Sequence, residues 1–295
     1  MIDTITILDM YINMPDKLSD NIINIILNVI KVKCPNKKKV KFTDAEYLTD
    51  IELMLTDLRK WESIMIKYGN TRNKYYYKTV HKKFIKWSRL GIFEEAYKQI
   101  LKEYVTSAHT YNTTIDLFYF ILFYFILFID ATCIYNKHGS ELVAYGSENR
   151  KKQITKISYV ADDQKIVYDM SIFAGNTVEV NTIQHVTDNL KESMKYRNIN
   201  LTGDKGYISA NHKKTLKDNK NISLHYPNKS NMKNTGKIAK KHLTKRYTIE
   251  NTISDHKRFD RISLRKDKLL VTFKSFCYIA LTINLRKKHK RYIIV

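Results

Sequence analysis

A 13-residue apolar run, Leu117 to Ile129, closed at its ends by Asp116 and Asp130, constrains the fold of this chain more than any other segment. As an α-helix it would span only ~20 Å, short of the ~30 Å hydrocarbon core of a bilayer, so a membrane location is not expected. Its aromatic and β-branched content favours a buried strand. As one strand it would be ~43 Å long, unusually extended, so a bend or a helical portion is expected within it. The five residues Leu-Phe-Tyr-Phe-Ile occur in tandem at 117 and 122, a sequence expansion that the fold must tolerate.

Further strands follow. Ile154 to Ala161 and Ile166 to Phe173 form a hairpin pattern across Asp162-Asp163-Gln164, and Ile199 to Thr202 and Ile222 to Tyr226 are short apolar strands. Helical patterns separate them. One carries Ile183, Val186, Leu190 and Met194, one runs from Ala210 to Leu216, and two close the chain, Leu243 to Ile262 and Leu269 to Lys287. Asn228 to Lys241 reads as a polar, lysine-rich loop.

The first hundred residues are helical in pattern. Asp20 to Lys31 places Ile22, Ile26, Val29 and Ile30 on one face, and Thr43 is a fitting N-cap for a longer helix reaching Met65. Two helices around Gly91 are compatible with a helix-turn-helix, with Phe84 and Trp87 as core and Lys82, Lys83, Lys86 and Arg89 as DNA contacts. Val105 to Thr114 reads as a linker. The expected organisation is a helical DNA-end-binding region over 1–110, an α/β (α+β) domain over 115–288 and a basic tail over 289–295.

The net charge of +23 points to a polyanionic partner, nucleic acid before membrane. From Lys205 onward there are 24 Lys and Arg against 5 Asp and Glu, so the last third carries most of the affinity for a phosphate backbone. The three cysteines form no Cys-x-x-Cys pair, which disfavours a disulfide framework or a cysteine zinc site. Residues 1 to 15 show no secretory signal pattern, and an intracellular location is expected.

Three acids stand in recognisable settings: Asp130 in Asp130-Ala131-Thr132, Asp204 in Thr202-Gly203-Asp204-Lys205-Gly206-Tyr207, and Glu250 in Arg246-Tyr247-Thr248-Ile249-Glu250. Gathered in one place they would repel each other unless a cation held them, which points to one or two Mg²⁺ ions. Arg246, Glu250, Lys257 and Arg261 fall at helical spacings of 4, 7 and 4 and would share a face. Taken alone, Arg246 and Glu250 read as a surface ion pair worth ~0.2–0.5 kcal/mol, and Asp204 as a turn residue before Gly206. Asp162 and Asp163 read as hairpin turn residues, and His256 as structural or phosphate-facing.

Taken together, these motifs resemble those of insertion-sequence transposases with a DDE catalytic triad. Their C-terminal pattern is Tyr, two residues, Arg, three residues, Glu, six residues, Lys. Arg246, Glu250 and Lys257 match it, and Leu243 stands at the Tyr position. Asp130-Ala131-Thr132, the Gly203 to Tyr207 run, Lys156, Gly175 and the basic-aromatic tail Arg258, Phe259, Arg261, Ile262 and Arg265 also fit. The resemblance covers about residues 70 to 288. The 46-residue step from Asp204 to Glu250 leaves no room for the large insertion domain of some relatives.

The resemblance implies an RNase H-like mixed sheet flanked by helices, and a two-metal Mg²⁺ site (or Mn²⁺) on Asp130, Asp204 and Glu250. It also implies DNA contacts from Arg246, Lys257, Arg258 and Arg261, double-stranded DNA partners (terminal inverted repeats and target), a homodimer, and strand cleavage and transfer. The Leu243 departure and the tandem repeat leave open a domesticated or decayed copy that binds DNA without cutting.

Overall fold

Helix and strand segments alternate as the apolar patterning predicts, and the second half of the chain builds a sheet around the apolar run. The computed structural model describes residues 18–35, 41–56, 60–68, 73–110, 125–146, 152–193, 198–227 and 244–293. The chain divides into two compact units. One comprises Met1–Val105, Phe259–Ile262 and Lys266–Val295, the other Thr106–Arg258 and Ser263–Arg265.

The first unit is helical: α1 (Asp20–Lys33), α2 (Asp44–Leu53), α3 (Ile64–Tyr68), α4 (Tyr76–Arg89), α5 (Ile92–Thr110), the one-turn α9 (Asp260–Ser263) and α10 (Leu270–Ile293). Helix α1 buries the four residues expected of it, Ile22, Ile26, Val29 and Ile30. Thr43 and Glu46 cap α2 reciprocally, in a capping box. The single helix expected from Thr43 to Met65 is broken after Leu53. The cause is Asp50, fully buried, whose carboxylate accepts from Lys67 Nζ (3.0 Å), Tyr68 Oη (2.8 Å) and Tyr76 Oη (2.9 Å). A straight helix would carry residue 67 about 25 Å from residue 50, so the chain must fold back to satisfy the buried charge.

Gly91, at φ +66°, makes the left-handed turn between α4 and α5. Helix α5 runs to Thr110, so the polar stretch after Val105, expected to be a linker, begins as helix. Phe84 and Trp87 are fully buried, as expected of core. The stripe of α10 joins this core: the rings of Phe84 and Phe276 lie 4.6 Å apart, and Trp61 and Phe276 6.2 Å apart. Residues 266–295 thus group with the N-terminal helices, and the segment expected to be a tail is helical as far as Ile293.

The second unit is a mixed sheet flanked by helices. Its strands are β1 (Phe125–Asn136), β2 (Ala144–Tyr145), β3 (Gln153–Asp162), β4 (Val167–Ala174), β5 (Ile199–Thr202), β6 (Ile222–His225) and β7 (Leu264–Arg265). The order is β2-β3-β1-β5-β6, with β4 on β3 and β7 on β1. Strand β3 is antiparallel to β1 and β4, whereas β1, β5 and β6 run parallel. This is the mixed arrangement expected of an RNase H-like sheet. Strand β1 starts inside the apolar run and continues six residues beyond Asp130, and residues 117–124 lie outside the described residues.

Helices α6 (Ile183–Ser193) and α7 (Ala210–Lys220) cover one face, where Leu127, Ile129, Val186, Leu190, Tyr207 and Leu216 share a core cluster. Met194 and the loop 228–241 lie outside the described residues. At the β3–β4 turn Asp162 Oδ1 accepts from Gln164 N–H and Ile166 N–H, both at 2.9 Å, while Lys165 takes φ +63°. Asp162 is therefore the turn residue its sequence setting suggested.

Candidate active site on the central strands

Strand register brings the two aspartates together. Phe128 of β1 pairs with Thr202 of β5 in the parallel ladder. Asp130 stands two residues further along β1, and Asp204 two residues past the end of β5, where it caps the 3₁₀ turn Lys205–Tyr207. Alternation along β1 sends Leu127 and Ile129 into the α6–α7 core, and Phe128, Asp130 and Thr132 to the opposite face.

Helix α8 (Tyr247–Lys257) packs on that second face, against β3 and β1. It buries Thr248, Ile249, Thr252, Ile253 and His256. His256 Nδ1 lies 2.6 Å from the Tyr159 hydroxyl, both fully buried, which pins the helix to β3. Tyr159 pairs with Asp130 across the β1–β3 ladder. At the far end Lys257 Nζ donates to Thr132 Oγ1 at 3.1 Å. His256 therefore has the structural role that was one of its two expected readings.

Glu250 comes to Asp130 through Arg246. One guanidinium nitrogen is 2.6 Å from Glu250 Oε1, and the other is 3.9 Å from Asp130 Oδ2. Burial pushes the Asp130 carboxyl up to about 6. The Ala131 N–H, donating at 2.8 Å, opposes that shift; the Asp204 charge adds to it, Arg246 opposes it and Glu250 adds. The acids are thus close enough to feel one another. Their oxygen chemistry suits a hard divalent cation. Among the described residues, however, no three acidic, histidine or cysteine side chains close into a metal-holding group. Arg246 supplies the positive charge between Asp130 and Glu250 instead.

The Gly203 to Tyr207 motif has steric reasons. Asp204 Oδ1 accepts from the Gly206 N–H at 2.8 Å. A Cβ on Gly203 would lie 2.7 Å from the ring of Tyr207, which is fully buried. A Cβ on Gly206 would lie 3.0 Å from Asp204 Oδ1 and 3.1 Å from Glu179 Oε2. Gly175 is equally constrained, since its Cβ would lie 2.4 Å from the Ile154 carbonyl oxygen. Glu179 was not singled out from sequence. Its Oε1 pairs with Lys156 Nζ at 2.6 Å. The signal for it was a lysine inside the apolar strand β3.

Two residues expected to contact DNA are otherwise engaged. The helix expected to reach Ile262 ends at Lys257, so Arg261 leaves the face of Arg246 and Glu250. Only 4% exposed, it donates from Nε to the Met54 carbonyl (2.8 Å), lies 3.6 Å from Asp267 and stacks on Trp61 and Phe276. Lys83 is turned onto Asp44 (3.0 Å) and over the rings of Tyr47 and Trp87. Lys82, Lys86 and Arg89 are exposed on α4, and Arg258 is exposed after α8. Among the described residues no helix is long and apolar enough to cross a membrane.

Residues 122–285 match the family described as the transposase DDE domain. A solved structure, the piggyBac transposase synaptic complex with hairpin DNA, aligns over 96% of this chain and 74% of its own, with 12% sequence identity and a TM-score of 0.48. No curated protein matches the chain.

Proposed function

From the premise that this chain belongs to the family of transposases with a DDE domain, we propose that it cuts DNA strands at the ends of a mobile element and joins them to target DNA by Mg²⁺-dependent phosphoryl transfer. One observation carries the reading: Asp130 lies on β1, Asp204 follows the end of its parallel neighbour β5 closely enough for its charge to act on Asp130, and α8 brings Glu250 to Asp130 through Arg246. Asp130 and Asp204 would hold the metal, with Glu250 joining them as it leaves Arg246; Mn²⁺ has the same donor preference. When bound, the metal would activate the attacking hydroxyl and stabilise the leaving oxygen.

The protein's own part is positioning and charge. Arg246, released from Glu250, and Lys257 and Arg258 at the end of α8 would grip phosphates flanking the scissile bond. Lys82, Lys86 and Arg89 on α4 would contact the terminal inverted repeats. Action on two ends implies a homodimer, and action on DNA an intracellular location.

The test is Asp204→Asn with end-containing DNA and Mg²⁺. Loss of cleavage with DNA binding retained is expected, and normal cleavage by the variant would refute the site. The tandem repeat at 117 and 122 and Leu243 at the Tyr position favour one second reading, a decayed copy that binds DNA without cutting. Turnover by the wild-type protein rejects it.

A further inference from the structure

A buried lysine raises a question that the proposed chemistry leaves unanswered. Lys156 is 8% exposed in β3, a strand whose other residues after Gln153 are all buried. Its ammonium is held by Glu179, the first residue of the short 3₁₀ turn Glu179–Thr182. Burying the Lys156 ammonium carries a desolvation cost that its half-buried partner Glu179 only partly offsets, so its presence in the strand asks for another reason.

Glu179 uses one oxygen for Lys156. The other, Oε2, abuts the turn that follows β5, 3.1 Å from where a side chain on Gly206 would begin. That turn is the 3₁₀ segment Lys205–Tyr207, and its Gly206 N–H holds Asp204 Oδ1 at 2.8 Å. Gly206 has no left-handed backbone. A side chain there would crowd two carboxylates, Asp204 on one side and Glu179 on the other.

We infer that Lys156 and Glu179 are positioning residues for Asp204. Lys156 neutralises Glu179 and clamps it against the Gly206 turn, which fixes the N–H that orients Asp204 Oδ1 and leaves the second carboxylate oxygen to face the cation. The inference rests on Asp204 being a metal-binding residue. Groups that orient a metal-binding carboxylate typically change affinity or activity by ~10–100-fold when removed.

The experiment titrates the full-length, metal-free protein with Mn²⁺ by calorimetry, records its melting temperature in chelator, and follows end-DNA cleavage against Mn²⁺ concentration. Glu179→Ala and Lys156→Met should each weaken Mn²⁺ binding by at least about tenfold. The double variant should be no worse than either single one. Cleavage should return toward the wild-type maximal rate at high Mn²⁺, because the loss lies in holding the metal.

Glu179→Gln keeps the shape and the contact with Gly206, and should lose less affinity than Glu179→Ala. If Glu179→Ala does not fold, Glu179→Gln paired with Lys156→Met decides by the same titration. Unchanged Mn²⁺ affinity with only a lower melting temperature would overturn the inference and leave an ordinary structural ion pair. Asp204→Asn separates the two levels: if it still cleaves, the site itself is wrong. If it does not cleave while the Glu179 variants bind Mn²⁺ normally, only the positioning role fails.

Discussion

Arg261 separates a structural arginine from a DNA contact, and Arg261→Met tests which it is. Methionine retains an apolar stem of similar length but removes the guanidinium, whose carbon lies 5.9 Å and 5.4 Å from the ring centres of Trp61 and Phe276. It removes the donor to the Met54 carbonyl and the charge beside Asp267, whose side chain is 6% exposed. Breaking a buried ion pair by removing one member costs about 3–5 kcal/mol. The 3.6 Å separation is long for a salt bridge, which places this pair at the lower end, about 3 kcal/mol. A melting temperature lower by about 5 °C follows. The assay is urea unfolding by circular dichroism, together with end-DNA affinity measured as a function of salt. Asp267→Asn added to Arg261→Met should recover part of the loss, since it removes the buried charge that Arg261 faces. Unchanged stability with a salt slope lower by about 0.9 would refute the structural assignment and make Arg261 a phosphate contact.

Three further outcomes are expected. Replacing Lys82, Lys86 and Arg89 together by Ala should leave unfolding unchanged, because all three are exposed, and should lower the salt slope of end binding by about 0.9 for each phosphate no longer neutralised; an unchanged slope removes α4 from the interface. His256→Ala removes the hydrogen bond to the buried Tyr159 hydroxyl and should cost about 1 kcal/mol in unfolding, which an unfolding free energy equal to wild type would contradict. In chelator, the Asp130 carboxyl sits at about 6 in the folded protein against an ordinary 3.8. The folded state therefore binds the proton more tightly, and stability falls as pH rises from about 4 through 6. Asp130→Asn should then melt above the metal-free wild type at pH 8, by roughly 2–3 kcal/mol of stability, with the gap closing toward pH 4. A gap that does not vary with pH would show that Asp130 is not held up by its surroundings.

The order of the five longer strands was legible because each carries its own apolar signature, whereas the two-residue β2 and β7 are too short to carry one; the two aspartates were legible because each follows directly on an apolar segment, although β1 continues past Asp130. What one element's periodicity cannot show is what covers it. The stripe on α10 read as buried, but nothing within it says that Phe276 meets Phe84 rather than the sheet it follows in sequence. Lys83 and Arg261 read as exposed cations because lysine and arginine usually are exposed. Their burial is set by Asp44 and Asp267, 39 and 6 residues away, which a charge count along the chain does not connect. The break after Leu53 has the same origin, since Asp50 draws Lys67 and Tyr68 back onto itself.

The site divides along this line. The spacing from Arg246 to Glu250 announces an ion pair whatever the fold. That the same guanidinium also reaches toward Asp130 depends on how α8 lies across β1, which the buried Tyr159–His256 contact determines. Lys156 carried the clearest unread signal. A charged residue in a strand otherwise built of buried residues must have a partner, and finding Glu179 required only asking which acid lies at the end of the neighbouring strand. Buried charges inside apolar elements are therefore where a sequence of this kind holds information about its site beyond the catalytic motifs: their partners lie where the topology brings strand ends together, as Lys156 on β3 meets Glu179, five residues beyond the end of β4.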